Sequence, residues 1–348
     1  MPLKPERQAV TVALSGGKDS TAAVLLLLEQ GYAVQALTMR LGLPDEDERL
    51  ARIEKLARLL GVSWQVSDVR AVFRKEVFDY FVSAYRRGLT PNPCVLCNRR
   101  IKFGLLLAEM KRNSPNSLFA SGHYADKVYR NGRWFLSEPV DRRKSQIYFL
   151  AMIDPAVLAR VLFPVSALTI SQVRAKVAGL PLANTKESQD VCFLQGEDLA
   201  AFLARHWPEG FKAGDFLDAN GRVIGRHQGS VHFTLGQRRG TGHASGRRLY
   251  VVRRDLAANT ITLGDESGLK SETVAVRGPV FWRPLRNGEN VAVKVRYQLH
   301  GHDATISAIA ADSIRAVFKE PVRAVTPGQL AVFYDGDTIV AAGEIVAP

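Results

Sequence analysis

Residues 10–20 read Val-Thr-Val-Ala-Leu-Ser-Gly-Gly-Lys-Asp-Ser, and this stretch decides the fold of the first half of the chain. Its first part, Val10 to Leu14, is a short apolar run typical of a buried strand. A helical segment from Thr21 to Gln30 follows, and Gly31 is a natural stop for it. Two glycines between a strand and a helix let the backbone approach an anion, and the helix N-terminus offers unpaired N–H groups. The stretch therefore predicts a phosphate-binding loop at the end of a strand.

The loop is not of the Walker A type, G-x-x-x-x-G-K-[ST], because Lys18 is followed by Asp19. It matches instead the S-G-G-x-D-S pyrophosphate loop of enzymes that cleave ATP between its α and β phosphates. We expect Ser15 and Ser20 to supply hydroxyl donors and Asp19 to hold Mg²⁺ against the phosphates. An ordinary glycine-rich turn is the structural alternative.

Strands and helices go on alternating beyond this loop, which predicts a parallel sheet covered on both faces. Predicted strands are Ala33 to Thr38, Ser63 to Val66 and Leu118 to Ala120, and predicted helices are Asp45 to Leu60 and Val72 to Tyr85. After about residue 205 short alternating strands dominate, separated by turn signals such as Asn220-Gly221 and Asp335-Gly336. The predicted domains are 1–205 (α/β), 206–272 (a small β-rich linking domain) and 273–348 (a C-terminal β-barrel).

The chain is strongly basic, with 348 residues and a formal net charge of +13. Residues 51–150 hold 19 basic and 8 acidic residues, and residues 201–300 hold 16 and 8, so both stretches are rich in positive charge. Two basic stretches fit a long polyanion that contacts two domains, although a generally basic, well-solvated surface explains them as well. The longest apolar run, Ala22 to Leu28, is too short to cross a bilayer, and we expect a cytoplasmic protein with no membrane partner.

Three cysteines are present, Cys94, Cys97 and Cys192, and an odd number argues against structural disulfides. Cys94 and Cys97 form a C-x-x-C pair that opens a predicted helix, where the helix dipole and nearby arginines are expected to lower the thiol pKa values. Such a pair can exchange disulfides, bind zinc or hold an iron–sulfur cluster. A thioredoxin-type role fits poorly, and a zinc ribbon needs a second pair that the sequence lacks. Cys192, flanked by Val191 and Phe193, could also be a small buried apolar residue.

The sequence resembles the tRNA-specific 2-thiouridylases (the MnmA family), which place sulfur on the wobble uridine of certain tRNAs. The strings that carry the resemblance extend over nearly the whole chain: Ser15 to Ser20, Thr90 to Phe103, Gly122-His123-Tyr124, Lys144 to Leu150, Ser188 to Phe193, His232 to Gly240 and Ala324 to Gln329. The resemblance implies an adenine-nucleotide α-hydrolase (PP-loop) fold in the first domain. It implies that ATP activates the C2 oxygen of uridine 34 by adenylation and that sulfur then displaces AMP.

The resemblance also implies roles for individual residues. ATP would be bound by Ala13, Leu14, Ser15, Gly16, Gly17, Lys18, Asp19, Ser20, Met39 and Gly122. The anticodon arm of tRNA would be bound by Asn92, Pro93, Cys94, His123, Lys144, Ser145, Gln146, Arg296, Tyr297 and Gln329. Cys192 would carry the sulfur as a persulfide and Cys97 would assist as nucleophile, the two ending as a transient disulfide. The sulfur donor would be a persulfide carrier protein or sulfide, and the free protein a monomer.

Cys94 departs from the common pattern, because many members of the family have Asp at this position. A third thiol makes a [4Fe–4S] cluster on Cys94, Cys97 and Cys192 an alternative to the persulfide scheme, with zinc on the same thiols as an intermediate case. Lys18 and Ser145 also depart from the usual residues. The rival functions are a 2-thiocytidine-type tRNA sulfurtransferase, an ATP-dependent ligase with the same loop, and a non-catalytic RNA-binding protein.

Overall fold

The computed structural model describes residues 7–181, 191–241, 248–297 and 300–347. Its strands in chain order are β1 (Ala9–Ala13), β2 (Ala33–Arg40), β3 (Ser63–Asp68), β4 (Leu118–Ser121), β5 (Asp126–Arg130), β6 (Arg133–Ser137), β7 (Val161–Leu162), β8 (Gly214–Leu217), β9 (Val223–His227), β10 (Tyr250–Asp255), β11 (Thr260–Gly264), β12 (Lys270–Phe281), β13 (Asn290–Lys294), β14 (His302–Ala310), β15 (Ser313–Arg323), β16 (Leu330–Asp335) and β17 (Thr338–Ile345). Its α-helices are α1 (Lys18–Glu29), α2 (Glu46–Leu59), α3 (Arg70–Phe73), α4 (Tyr80–Arg86), α5 (Pro93–Leu96), α6 (Leu107–Asn113), α7 (Ile147–Leu150), α8 (Ile170–Lys176) and α9 (Leu199–His206).

The described chain divides into two compact units. The first takes its residues from Met1–Val77, Cys94–Gln189 and Asp337–Ile339. The second takes them from Phe78–Pro93, Asp190–Gly336 and Val340–Pro348. Both units are therefore built from separate pieces of sequence.

A five-stranded parallel sheet forms the centre of the first unit, in the order β3-β2-β1-β4-β7. Its middle strand, β1, buries Val10 and Val12 completely, as expected for a parallel strand covered on both faces. Helix α1 packs Ala23, Val24 and Leu27 into the same core, at the i, i+1, i+4 spacing of one helix face. The helix ends at Gly31, whose φ of +84° allows the Tyr32 amide to bond back to the Leu27 carbonyl at 3.0 Å.

Two helical stretches contain π-helical segments. Residues Arg74–Asp79 join α3 to α4, and Cys97–Leu106 join α5 to α6, so that a helical backbone extends from Pro93 to Asn113. Longer π segments are rare in proteins and are frequent at functional sites. The second segment begins at one of the cysteines.

An antiparallel hairpin, β5–β6, also belongs to the first unit. Its two-residue turn, Asn131-Gly132, has φ values of +49° and +79°, which are those of a type I′ turn. Thr338 of the first unit pairs with Ser137 at the end of the hairpin.

The second unit contains two β structures. One is a four-stranded sheet in the order β10-β11-β8-β9, with a core of Phe216, Phe233, Val251, Ile261 and Leu263. The other is a closed barrel in the order β12-β15-β14-β13-β16-β17, because β12 also pairs with β17. Closure of the barrel removes the free strand edges.

The predicted fold class is confirmed: a parallel α/β sheet is followed by a small β-rich part and a C-terminal β-barrel. Most predicted elements begin or end within three residues of the observed ones; for example, the helix predicted from Asp45 to Leu60 is Glu46–Leu59. The domain boundaries at residues 205 and 272 stay a prediction.

Within the described residues, no helix is both long enough and apolar enough to span a bilayer.

Candidate active site

The carboxyl ends of β1 and β4 form the switch point of the parallel sheet, since the chain adds β2 and β3 on one side of β1 and then returns to add β4 on the other. Ligands of open α/β sheets bind in the crevice at such a point. Ser15 to Ser20 follow β1, and Gly122 and His123 follow β4. Met39 stands next to last in β2, on the other side of β1. The predicted ATP residues are therefore brought to one edge of the sheet.

Hydrogen bonds within the loop itself fix its shape. The Ser15 amide donates to Ser20 Oγ at 3.2 Å, and the two hydroxyl oxygens are 3.1 Å apart. Ser20 Oγ also donates to the Gly17 carbonyl at 3.0 Å, and the Thr21 hydroxyl donates to the same carbonyl at 2.9 Å. Gly17 caps α1 in an extended conformation without a side-chain hydrogen bond, so the first-turn amides of the helix face the loop. This arrangement suits an anion.

Two glycines are required by close packing at this edge. Gly16 has a φ of +83°, and a Cβ there would lie 2.8 Å from Ile53 Cγ1. A Cβ on Gly122 would lie 2.5 Å from both the Asp19 carbonyl carbon and the Ser20 amide nitrogen. The backbone after β4 therefore packs directly on the first turn of α1. Any side chain at residue 122 would push the phosphate loop aside.

Asp19, the predicted Mg²⁺ ligand, is held by a partner that the sequence did not suggest. The hydroxyl of the buried Tyr124 donates to Asp19 Oδ1 at 3.2 Å. Tyr124 is held in turn by Gln146. The backbone N–H of Gln146 donates to the Tyr124 carbonyl at 2.7 Å, and the side-chain Oε1 of Gln146 accepts from the Tyr124 backbone N–H at 2.9 Å. The chain Gln146–Tyr124–Asp19 thus fixes one carboxylate oxygen of the loop.

Met39, one of the residues predicted to bind ATP, is connected to helix α2 through its backbone carbonyl. Its carbonyl oxygen accepts from Arg49 Nη2 at 2.8 Å, and the same guanidinium contacts Glu46 Oε1 at 3.0 Å. The Glu46 carboxylate accepts from the Leu41 and Gly42 amides at 2.7 and 2.6 Å. Burial alone would raise the pKa of Glu46, but these two amides and the guanidinium together hold that pKa below its ordinary value. The segment that follows β2 is therefore pinned to helix α2.

Both thiols of the C-x-x-C pair have a raised pKa, so the expected lowering is wrong. Cys94 is exposed and Cys97 half-buried, and desolvation by the surrounding protein is the main cause of the rise for each. The nearby Lys102 works in the opposite direction but is outweighed, and at Cys97 the neighbouring Cys94 adds to the rise. The expectation rested on the helix dipole and nearby arginines, whereas desolvation of the sulfur is the main influence on both thiols.

His123 is a neutral imidazole that is influenced by the same Lys102 as the two thiols. Burial, and secondarily the positive charge of Lys102, lowers the pKa of His123 well below its ordinary value. Its Nδ1 is 2.9 Å from Ser121 Oγ, and its ring lies 5.8 Å from that of Phe103. Asn98, next to Cys97, donates to the Phe149 carbonyl at 3.0 Å. These contacts tie the helix that carries the thiols to the end of β4 and to the segment that contains Gln146.

Cys192 belongs to the second unit and is exposed, which excludes the alternative of a buried apolar residue. Its neighbour Phe193 is buried and packs against Phe78 and Phe81, with ring centroids 5.4 and 5.1 Å apart. Ser188 to Asp190 of the same string lie outside the described residues. No group of three or more His, Cys, Asp or Glu side chains is arranged to hold a metal ion anywhere in residues 7–181, 191–241, 248–297 and 300–347. The described residues thus do not form a three-thiol site.

Comparison with known proteins gives full-length matches. A family model described as "tRNA methyl transferase HUP domain" matches residues 8–196. A model described as "tRNA methyl transferase PRC-barrel domain" matches residues 200–265. A third, described as "Aminomethyltransferase beta-barrel domain", matches residues 271–345. The tRNA-specific 2-thiouridylase MnmA of Pelotomaculum thermopropionicum is 40% identical over 98% of this chain and 98% of its own length. The protein of the same name from Acetivibrio thermocellus is 37% identical over 97% of this chain and 99% of its own.

The chain belongs to the tRNA-specific 2-thiouridylase family. The resemblance noted in the sequence is thereby confirmed. Among solved structures, a 4-thiouridine synthetase–RNA complex with bound ATP covers 58% of this chain and 51% of its own, with 14% identity and a TM-score of 0.37. That likeness is too weak to support an argument.

The residues that the 2-thiouridylase resemblance assigns to tRNA occupy different settings. Arg296 and Tyr297 are exposed just beyond β13, with 49% of the Tyr297 side chain accessible. Asn92 and Lys144 are half-buried, whereas Pro93 and Ser145 are buried. Gln146 and His123 are already engaged with Tyr124 and Ser121, as described above. RNA contacts by all of them stay a prediction.

Gln329 has a structural partner in the second unit of this 2-thiouridylase. Its side-chain amide donates to the Thr90 carbonyl at 2.8 Å, while the Thr90 amide donates to the Pro327 carbonyl at 2.9 Å. Gly328 has a φ of +90°, and a Cβ there would lie 2.8 Å from the Thr90 amide. Pro327, Gly328 and Gln329 therefore hold the backbone of Thr90, which lies four residues before Cys94.

Tyr124, Arg49 and Glu46 are the positioning residues that sequence reasoning missed. Tyr124 stood inside the quoted string Gly122-His123-Tyr124, and its place next to the end of a strand was the available signal. Arg49 and Glu46 read as ordinary charged residues at the start of a helix, an i, i+3 pair on α2. Only the tertiary structure shows that this pair faces the end of β2.

Proposed function

We propose that this protein is an ATP-dependent tRNA 2-thiouridylase, which replaces the C2 oxygen of the wobble uridine, position 34, by sulfur. The observation that supports it most is the pyrophosphate loop at the switch point, with Asp19 held by Tyr124, in a chain 40% identical to a 2-thiouridylase along its whole length. ATP use follows from the same loop and family.

In the first step, ATP is bound by Ala13 to Ser20, Met39 and Gly122. The loop amides and hydroxyls orient the phosphates, and Asp19 would hold the Mg²⁺ that neutralises their charge. The C2 oxygen of the uridine attacks the α-phosphorus, the bond between that phosphorus and the bridging oxygen to the β-phosphate breaks, and pyrophosphate leaves. The base then carries an adenylate, which makes its C2 oxygen a good leaving group.

In the second step, a persulfide carrier protein transfers its outer sulfur to the Cys192 thiolate and leaves as a thiolate. Sulfide as the donor belongs to the cluster alternative below, because a thiol and sulfide form a persulfide only with an oxidant. Cys192 would carry the transferred sulfur as a persulfide, whose terminal sulfur attacks C2 and expels AMP. Attack of the Cys97 thiolate on Cys192 Sγ then breaks the sulfur–sulfur bond, leaves the sulfur on the base and gives a Cys97–Cys192 disulfide. An external dithiol of the cell must reduce that disulfide before the next turnover. The raised pKa of Cys97 means that this thiol must lose its proton as the reaction proceeds.

A [4Fe–4S] cluster on Cys94, Cys97 and Cys192 is the alternative for the sulfur step. The described residues form no three-ligand site, and we derive no step through a cluster. Iron and sulfide assays on anaerobically purified protein, with Cys94→Asp as the variant that keeps two thiols, separate the two routes. Iron-free protein that thiolates tRNA excludes the cluster, and loss of sulfide-dependent activity in Cys94→Asp together with loss of iron supports it.

The tRNA contacts of Asn92, Pro93, Cys94, His123, Lys144, Ser145, Gln146, Arg296 and Tyr297 are part of this proposal. For Gln329, whose side chain donates to the Thr90 carbonyl, a tRNA contact is the alternative to a structural role. So are a monomeric free protein, a cytoplasmic location and a division into domains 1–205, 206–272 and 273–348. Engagement of the anticodon arm agrees with the excess of basic over acidic residues in 51–150 and 201–300.

The test is thiolation in vitro with tRNA, ATP, Mg²⁺ and a sulfur donor. We expect pyrophosphate release that requires tRNA and, by mass spectrometry of nucleosides, a uridine in which sulfur replaces oxygen. A thiolated cytidine would indicate the 2-thiocytidine reaction, and an added methyl group the reaction named by the family model. RNA binding without tRNA-dependent pyrophosphate release would overturn the proposal in favour of a non-catalytic RNA-binding protein.

A further inference from the structure

The β5–β6 hairpin of the first unit ends in a surface that neither the fold nor the proposed chemistry uses. Arg130 and Arg133 flank the Asn131-Gly132 turn and are paired directly across it. One step further from the tip, Tyr129 is paired with Trp134. We call Tyr129, Arg130, Arg133 and Trp134 the hairpin tip.

The two arginines are an unfavourable pair for the folded protein alone. Directly opposite residues of an antiparallel pair lie about 4.5–5.5 Å apart at their Cα atoms, and like charges there are destabilising. Both side chains are exposed, and neither forms an ion pair with any residue in the described parts of the chain. The two exposed arginines on α2 behave differently: Arg52 pairs with Glu48 and Arg58 with Glu54.

The aromatic pair gives the same tip an exposed ring, that of Tyr129, which is tilted by 55° against the ring of Trp134. Tyr129 is 58% exposed, and its ring lies 5.1 Å from that of Trp134. Trp134 is also contacted by Lys127, whose Nζ lies 4.3 Å from the ring and donates to the Leu158 carbonyl at 2.8 Å. The exposed tyrosine ring is a ready stacking surface for a planar group.

We propose that the hairpin tip is an RNA-binding element, which takes an unpaired base on Tyr129 and neighbouring phosphates on Arg130 and Arg133. Alternation along the strands puts the aromatic pair and the arginine pair on opposite faces of the ribbon. Because the tip is a single residue pair wide, an RNA strand that crosses it meets both faces. Unpaired bases stacked on aromatic rings, with arginines on the backbone, are the usual chemistry of RNA loop recognition. This inference rests on the proposed function, since the RNA is the tRNA substrate.

The test measures tRNA binding at several salt concentrations for Arg130→Ala/Arg133→Ala and for Tyr129→Ala. Arg52→Ala/Arg58→Ala is the matched control, because it removes the same charge from exposed arginines of the same unit. We expect the first pair to weaken binding about tenfold and to reduce the salt dependence by about one unit per lost phosphate contact. Tyr129→Ala should weaken binding about tenfold with little change in salt dependence.

Trp134 supplies an independent readout. Base stacking on Tyr129 should quench the tryptophan fluorescence of the parent protein when tRNA is added, and the quench should disappear in Trp134→Phe while that variant keeps binding. Thermal unfolding shows whether the arginine variant is folded; because it relieves a like-charge pair, its Tm should be unchanged or higher.

Affinity and salt dependence of the hairpin variants equal to those of the control pair would overturn the inference. The proposed function is tested separately by tRNA-dependent pyrophosphate release of the parent protein. If the parent protein thiolates tRNA and all hairpin variants bind tRNA normally, the RNA-binding role of the hairpin tip is wrong and the proposed function stands. A parent that binds no tRNA removes both.

Discussion

The Tyr124 hydroxyl donates a hydrogen bond to Asp19 across 105 residues of sequence. It joins the residue that follows Gly122-His123 after β4 to the second residue of α1. The carboxylate expected to hold Mg²⁺ is therefore oriented from a neighbouring strand end rather than from its own loop.

Tyr124→Phe should raise the KM for Mg-ATP about tenfold and increase the Mg²⁺ concentration needed for half-maximal pyrophosphate release. A hydrogen bond to a charged group is worth about 1.5–3 kcal/mol, and here it acts on the orientation of the ligand oxygen. Tyr32→Phe, which removes a hydroxyl from a half-buried ring in the same core, is the control. Equal KM values in the two variants would show that Tyr124 does not position Asp19.

Alanine at two glycines of the site should affect different properties, stability at one and Mg-ATP binding at the other. Gly122→Ala places a methyl group 2.5 Å from backbone atoms of Asp19 and Ser20, and we expect it to lower the free energy of unfolding by about 1–3 kcal/mol. In Gly17→Ala the added Cβ would contact only Ser15 Oγ, at 3.5 Å, and the backbone φ of −82° at residue 17 suits any amino acid. That variant should be as stable as the parent yet bind Mg-ATP at least about tenfold more weakly, because the methyl group faces the phosphates. Chemical denaturation and nucleotide titration measure both; normal ATP binding by Gly17→Ala would contradict close approach of the phosphates to this backbone.

The reactivity of Cys97 should rise steeply with pH. The thiolate is the reactive form, and since the pKa of Cys97 is raised, its fraction should increase about tenfold per pH unit through the neutral range and beyond pH 8. The measurement is the alkylation rate of Cys97 in a Cys94→Ser/Cys192→Ser protein. Lys102→Met removes the charge that opposes the rise, so alkylation at a given pH should become slower. A rate that levels off below pH 8 would mean that the thiol is activated.

The same shift has a consequence for stability. The folded state favours the protonated thiol. Its contribution to the free energy of unfolding is therefore complete below the ordinary thiol pKa, where both states are protonated, and is lost as the pH rises from there through the raised pKa of the folded state.

Gln329 should act on the segment that precedes the thiols rather than on RNA affinity. Gln329→Leu removes the hydrogen bond to the Thr90 carbonyl, and we expect a loss of about 1 kcal/mol in the free energy of unfolding together with slower thiolation. The tRNA Kd should be unchanged. Tyr297→Ala, at an exposed residue of the same unit, is the comparison for direct RNA contact. Weaker tRNA binding by Gln329→Leu at unchanged stability would instead support the contact that the family resemblance implies.

Local patterns predicted the parts of this molecule that depend on local structure. The alternation of strand and helix patterns and the Ser15 to Ser20 string predicted the α/β sheet and the nucleotide loop, because each is set by residues close in sequence. The Tyr124–Asp19 and Gln329–Thr90 contacts join residues far apart in sequence, and no periodicity encodes them. The predicted lowering of the thiol pKa values was wrong for a related reason. Position in a helix is a local property, whereas desolvation depends on everything packed around the sulfur. The β5–β6 hairpin was missed although Asn131-Gly132, a strong turn signal, was present.

The short piece Asp337–Ile339 has a consequence for how the protein is made. It belongs to the first unit, where the Asp337 carbonyl accepts from the Glu138 amide at 3.0 Å, its carboxylate contacts Arg142 at 2.5 Å and Thr338 pairs with Ser137. In chain order this piece follows the parallel sheet, the β5–β6 hairpin and strands β8 to β16, so a ribosome releases it after all of them. The first unit therefore stays without these contacts to Glu138, Arg142 and Ser137 until the barrel strands β12 to β16 have been synthesised.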